Sequence, residues 1–362
     1  MTALIKVLEG FDLWPASPSG GSWVDVVGKG WIYNSGNINV GSGRFGGQAI
    51  GYNGGYQYYY WFNPPQNAQK QIAMGAAYLY DSWSSWYQPG NTLMFFQGTF
   101  TGPSTSDVTI TSQCGLKSVN GASWRWEYSD TAGNLTPIYG FTTPANNTWT
   151  YMEACLILDE IGSTTGTFIV RQDGVELCSI SVSNTVPQID FVQFGSAGSG
   201  GSVNIIDDAY IYNGQGLEPM FLGPLYVATI HPTADVSNTG SWTPSTAGSL
   251  TAMVNGSNIS TLTGTITSTT TAECMFDVGS ITGTAGQVVG VQVNYYASGS
   301  IGPTLTGIAG SSSGTSTSTG TITVPVGTYN LYGAGAIELD PGTNERWTFT
   351  GVQAAPFGIS RL

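Results

Sequence analysis

Charge is scarce in this chain. Lys and Arg number 9 and Asp and Glu 22 among 362 residues, 9% in all, where an average soluble protein carries about 25%. Long helices with salt-bridged outer faces are therefore few. The net charge of -13 comes from a shortage of cations rather than from acidic runs, and this excludes binding along a nucleic-acid backbone, which needs clustered Lys and Arg to release counterions. No stretch of eighteen apolar residues occurs, which excludes membrane insertion by a helix. There is one histidine, His231, and the four cysteines (Cys114, Cys155, Cys178, Cys274) contain no CxxC pair, which leaves a zinc site without ligands. Cys155 and Cys178 can face each other across neighbouring strands; free buried thiols in a reducing cytosol are the plainer alternative. The N-terminus, MTALIKVLEGFDLW, has one Lys and then a Glu-Gly-Phe-Asp break in place of an apolar core and cleavage site. No signal peptide is expected.

Strand and turn formers are abundant. Glycine reaches 51 residues, about twice ordinary usage, and Tyr, Trp, Phe, Val, Ile and Thr outweigh the helix formers. Short alternating or apolar runs recur between turn signals, among them QKQIAMGAAYLY, NTLMFFQGTF, WTYMEACLILDE and SVNIIDDAYIYN. The fold class is all-β, a sandwich of antiparallel strands. In TFIVRQDGVELCSISV, Asp173-Gly174 is a two-residue hairpin turn. The alternation stops at NGQGLEPMFLGP, which sets a boundary: residues 1–216 form one domain, 217–224 a linker and 225–362 a second, smaller β-domain. Within the second, residues 307–322 are Ser/Thr/Gly-rich, and read either as a linker or as a polar hairpin.

GSGRFG, Gly41 to Gly46, matches the G-x-G-x-x-G pattern of dinucleotide-binding loops. That loop works only where it opens a helix, because the phosphate sits on the helix N-terminal amides. The segment leaving this loop is QAIGYNGGYQYYYWF, which no helix tolerates. The glycines are expected to make a tight turn into a strand.

Several stretches resemble known proteins. EGFDLW, SGRFGGQAIGY, WTYMEACLIL with GTFIVRQDGVEL, and SVNIIDDAYIYN resemble the concanavalin A-like lectin/laminin G-like jelly-roll sandwich. The continuation FLGPLYVATIHPTADVSNTGSWTPSTAG resembles a junction found in tailed-bacteriophage virion proteins, which pair such a sandwich with a second β-domain; QVVGVQVNYYAS and PGTNERWTFTGVQAAPFGI match that second domain. The family has FLGD where this chain has FLGP. The resemblance implies a non-enzymatic virion protein, assembled in the host cytoplasm. It would be a capsid decoration protein or a tail or fibre component, in contact with other virion proteins and with copies of itself. The alternative is a receptor-binding lectin for host surface glycan.

Catalysis competes with that reading. Retaining glycoside hydrolysis needs two carboxylates about 5 Å apart; Asp159 with Glu160 and Asp207 with Asp208 are adjacent pairs, expected on opposite faces of a strand. GSSSG (Gly310 to Gly314) is a formal nucleophile-elbow pattern that would have to recruit His231, which is read instead as a junction residue packing near Tyr226 and Trp242. No catalytic residue is assigned and no cofactor is expected. A structural calcium, which lectin-like sandwiches often hold, would rest on Asp130 and Asn134 alone. The candidate binding residues are aromatic: Tyr56, Tyr58, Tyr60, Trp83, Trp86 and Tyr87, set among Asn, Gln and Ser, either as a carbohydrate platform or as a subunit interface.

Overall fold

In a computed structural model, the described residues are 5–12, 31–33, 39–51, 58–61, 70–80, 92–98, 112–119, 125–140, 147–189, 191–194, 205–213, 221–240, 242–256, 264–281, 287–311, 313–327, 329–333 and 336–362. The first fifteen strands are β1 (Ile5–Glu9), β2 (Trp31–Tyr33), β3 (Asn39–Ser42), β4 (Gln48–Gly51), β5 (Tyr58–Trp61), β6 (Gln71–Tyr80), β7 (Thr92–Gly98), β8 (Ser112–Val119), β9 (Arg125–Ser129), β10 (Leu135–Ile138), β11 (Thr148–Leu158), β12 (Gly166–Gln172), β13 (Val175–Val182), β14 (Phe191–Phe194) and β15 (Ile205–Tyr212). They form an eight-stranded sheet, ordered β13-β12-β11-β6-β15-β4-β3 with β1 also on β15, and a seven-stranded sheet ordered β10-β9-β8-β7-β14-β5-β2. All the pairings are antiparallel. This is the expected all-β sandwich.

Alternation puts Ile72, Met74, Ala76 and Tyr78 of β6 and Met152, Ala154 and Leu156 of β11 into the space between the sheets. There they meet Met94, Phe96, Leu116, Tyr128, Val192 and Phe194 of the second sheet. The Asp173-Gly174 turn takes φ of 50° and 82°, the double left-handed geometry that matches strand twist. Gly46 and Gly47 take φ of 102° and 72° and turn β3 into β4. The formal nucleotide fingerprint is thus a hairpin, with a strand and not a helix on its far side.

The second half adds β16 (Pro232–Thr239), β17 (Thr243–Pro244), β18 (Ile266–Thr267), β19 (Ala272–Val278), β20 (Asn294–Ala297), β21 (Thr304–Gly310), β22 (Ser316–Ser318), β23 (Ile322–Thr323), β24 (Asn330–Gly333) and β25 (Phe357–Arg361), with two short helices, α1 (Leu250–Val254) and α2 (Phe349–Ala354). Its main sheet runs β16-β19-β25-β21-β22 with β23 on β21, and β17-β18 and β20-β24 form separate pairs. Asp235 fixes α1 by accepting from the backbone N–H of Leu250 and Thr251 and from the Thr251 hydroxyl. Of the two readings of residues 307–322, the polar hairpin is the one found: β21 turns through Gly314 into the exposed β22.

Cys155 and Cys178 are free thiols. They lie on β11 and β13 with β12 between them, and Cys155 packs on the outer side of the sheet while Cys178 packs against the inner core.

Candidate functional site

The carboxyls that burial raises, Asp12, Glu153, Asp207 and Asp208, gather on the outer face of the eight-stranded sheet, where a strap packs over it. Residues 221–231, FLGPLYVATIH, have no regular secondary structure, yet they are fastened to this face at nearly every second residue. Phe221 is buried under the Arg171 guanidinium, 4.6 Å from its ring centre. The Leu222 N–H donates to the Tyr210 hydroxyl (3.3 Å) and the Gly223 N–H to Glu153 Oε1 (2.9 Å). The Leu225 carbonyl accepts from Arg44 Nη1 (3.1 Å), and the Val227 N–H donates to Asp208 Oδ1 (2.8 Å). The Thr229 side chain bonds to Asp12, and His231 lies within electrostatic reach of Asp12. Leu222, Leu225 and Val227 pack on Ile5, Leu8, Tyr151, Tyr210 and Tyr212 of the sheet and on Ala336 of the second unit. Phe221, Leu222 and Gly223, which the sequence reading placed in the linker, are tied to this face.

A break in strand alternation builds the acidic end of this site. The register of β15 against β6 slips between Asp207 and Tyr210, and Asp208 takes φ of 51°. This is a bulge, with one extra residue on β15. It turns two consecutive carboxylates to one side of the sheet, where both contact Arg44: Asp207 Oδ2 accepts its backbone N–H (2.7 Å) and Asp208 Oδ2 lies 3.4 Å from Nη1. The expectation that Asp207 and Asp208 point to opposite faces is thereby corrected. Asp159 and Glu160 are corrected differently, since they sit exposed in the turn after β11 and not on a strand.

Burial raises Asp207 to about 8 and Asp208 to about 6. The charge of Asp208 adds to the rise for Asp207, and the Val227 N–H and Arg44 oppose the rise for Asp208. Glu153 is also raised, by burial first, against hydrogen bonds from Tyr210 and Gly223. Asp12 is raised by burial against bonds from Gln48 and Thr229. His231 is lowered by burial, which keeps it neutral at pH 7.

The aromatic candidates fare unevenly. Tyr56, Trp83, Trp86 and Tyr87 lie outside the described residues. The backbone of β5 pairs Tyr58 with Phe194 and Tyr60 with Val192, register positions whose β14 side chains belong to the inner core. On the opposite face of that seven-stranded sheet, Glu127, Ser129 and Gln193 are buried polar side chains, in alternation with the core residues Tyr128, Val192 and Phe194.

Asp130 and Asn134 do not suit a cation. The Asp130 carboxylate accepts from the Ala132 and Asn134 N–H groups and from the side-chain amides of Asn134 and Asn184. Its lone pairs are spent closing the loop, and among the described residues no group of three His, Cys, Asp or Glu is placed to bind a metal.

Sequence reasoning missed Glu153, Arg171 and Tyr210 as strap anchors. A signal was present: Glu153 interrupts the apolar run TYMEACLIL, and a charge in the middle of a long central strand needs a partner.

These features define a two-sheet antiparallel β-sandwich, joined through a docked strap to a second β-unit. No family model and no curated protein matches the chain. Solved structures match it at low identity. Domain 4 of an extracellular arabinanase from Geobacillus stearothermophilus, solved with arabinotriose, is 14% identical, with a TM-score of 0.38 over 59% of this chain and 94% of that one. A carbohydrate esterase from the Shiga toxin-encoding bacteriophage phi24B is 14% identical, with a TM-score of 0.38 over 58% and 99%. A marine alginate lyase from Aplysia kurodai is 10% identical, with a TM-score of 0.38 over 59% and 100%. At these values the likeness is one of fold alone. It still corrects one expectation: the sequence reading excluded an enzyme, whereas enzymes acting on carbohydrates are among the solved structures similar to this chain, and that exclusion is withdrawn. One of its grounds, that Asp207 and Asp208 point to opposite faces, had already failed with the bulge at Asp208.

Proposed function

We propose that this protein is a multi-copy structural component of a tailed-phage particle, on the head as a decoration protein or on the tail as a fibre or appendage component. The observation that carries this reading is the junction. The residues that resemble the virion-protein junction are the ones that do structural work here: Phe221 anchors the strap, Asp235 caps α1, and Trp242 is buried in the second core. A strap of this kind fixes how the two units face each other, which is what repeated, equivalent contacts with neighbours require. Residues 225–362 then act as the anchoring or the projecting unit, and the protein's partners are other virion proteins and copies of itself, assembled in the host cytoplasm. Immunogold electron microscopy of purified particles, with antibody against residues 225–362, tests this. Label over the head or along the tail supports the reading, with its position choosing between decoration and tail component; label absent from intact and from disrupted particles alike rejects it.

A second reading, a receptor-binding lectin for host surface glycan, rests on the aromatic residues Trp83, Trp86 and Tyr87 set among Asn, Gln and Ser in the sequence. Planar polar groups beside aromatic faces suit sugar hydroxyls and C–H surfaces. Glycan-array binding that is lost on Trp83→Ala and Trp86→Ala would support it. Binding that survives both changes removes those residues from the site.

A further inference from the structure

Sheet edges are where this fold can still make backbone hydrogen bonds, and most of the described edges are blunted. β10 carries Pro137, while β16 begins at Pro232 and slips register twice against β19. β2, β3 and β22 run to only three or four residues. β1 is covered by the second unit: its Ile5 and Leu8 N–H groups donate to Glu338 and Gln292, and its Ile5 carbonyl accepts from the Ala336 N–H. β13, the outermost strand of the eight-stranded sheet, has none of these devices over residues 178–182. The strand is eight residues long and holds no Pro, Lys or Arg. Its one bulge, at Leu177, lies before that stretch. Among the described residues, the backbone of 178–182 bonds to β12 alone.

We propose that β13 is the surface through which a second copy of this chain joins the sheet, the strand pairing antiparallel with its own counterpart about a two-fold axis at Ile180. The residues are self-complementary about that point. Ile180 lies opposite the partner's Ile180, Ser179 opposite the partner's Ser181 and Cys178 opposite the partner's Val182, which are apolar and hydroxyl pairs with no like charges opposed. A two-fold contact uses the same patch on both copies, so one open edge is enough to close a dimer. Charge points to the same occupant. Each copy carries a net charge of -13, and two copies meet at least cost along a strip without charge; residues 177–189, LCSISVSNTVPQI, hold no Asp, Glu, Lys or Arg. A partner recognised by opposite charge would find none here. Leu177, Cys178 and Ile180 pack on the inner core yet stay half-buried, while Ser179 and Ser181 alternate with them and are exposed. The β9–β10 turn is tied to the end of β13, with the Thr131 N–H and hydroxyl donating to the Asn184 carbonyl, and the adjoining β10 edge leaves Leu135 and Tyr139 exposed. Such a dimer supplies one of the contacts between copies that the multi-copy reading calls for. It is tested on the purified chain, so it stands or falls separately from the protein's location on a particle.

Sedimentation velocity on the full chain, across a concentration series, tests this. The wild type should sediment as a dimer. Ser179→Lys combined with Ser181→Lys sets Lys against Lys twice across the axis. Both positions are exposed, so the fold is kept while the dimer dissociation constant rises at least about tenfold. Ser179→Glu combined with Ser181→Glu should weaken self-association in the same way. Mixing the two double variants should restore dimers of mixed composition, because each Lys then faces a Glu; a merely destabilised fold would not recover on mixing. A wild type that stays monomeric at high micromolar concentration overturns the proposal and leaves the edge to a strand from a different protein. A dimer that both double variants leave intact overturns it too, and puts the contact elsewhere on the chain.

Discussion

Phe221 is the place where the strap can be undone with least collateral damage. Its ring is 3% exposed and lies beneath Arg171, on the outer layer of the sheet and apart from the core between the sheets. Truncating a buried Phe to Ala costs about 3–5 kcal/mol. The low end applies, because an outer layer beside a strap collapses more readily than a sealed core. Loss of the cation–π contact with Arg171 adds about 0.5–1 kcal/mol. Phe221→Ala should therefore weaken docking by about 3.5–4 kcal/mol, read as lost amide protection at Leu222 and Gly223 and as a lower urea midpoint. Val175→Ala serves as the control, since Val175 is 65% exposed and such surface changes stay within about 0.5 kcal/mol. If Phe221→Ala costs less than about 1 kcal/mol, or leaves the strap amides as protected as before, Phe221 is not the anchor and the strap is held by other means.

Other single contacts give measurable outcomes. A Cβ at Gly75 would sit 2.3 Å from the Tyr210 ring, so Gly75→Ala should push Tyr210 away from Glu153 and destabilise by about 1–3 kcal/mol in urea unfolding. Asp235→Ala removes the acceptor for three donors at α1 and should cost about 1–2 kcal/mol. Although burial works against it, hydrogen bonding from Thr251 and Leu250 keeps the Asp235 carboxyl below its ordinary range. Its stabilisation is present above the unfolded value and lost as pH falls through the folded one, so the cost of Asp235→Ala should vanish in acid melts. Ellman's reagent on the native protein should label Cys178 first, because Cys114 and Cys274 are buried, with thiols pushed up to about 11 and about 12, and Cys155 is buried and raised as well. Early labelling of any of these three would contradict the packing.

The sandwich was legible because its strands obey alternation and its turns carry their own chemistry. Asp173-Gly174 marked its hairpin, and Gly46-Gly47 betrayed a turn by the aromatic, glycine-broken segment beyond it. The candidate site was not legible, for a local reason. Asp207-Asp208 reads as ordinary strand, and only the left-handed conformation of Asp208 puts both carboxylates on one side. Alternation also could not show that FLGPLYVATIH is docked, since its ties run from backbone groups to side chains as distant in sequence as Glu153 and Asp12. Composition alone makes a Gly/Pro-containing stretch look like a free connection.

The strap has a mechanical consequence. It enters at Phe221 and leaves at His231, tied along its length to β11, β12 and β15, to the β3–β4 turn and to Asp12, and packed on Ile5 and Leu8 of β1. Tension applied to the second unit runs along this segment and loads its ties together, as in a lap joint, instead of opening them one at a time like a zipper. A unit held this way withstands pulling better than one hung from a single point, and it should fail abruptly, in one step, when the load exceeds its ties.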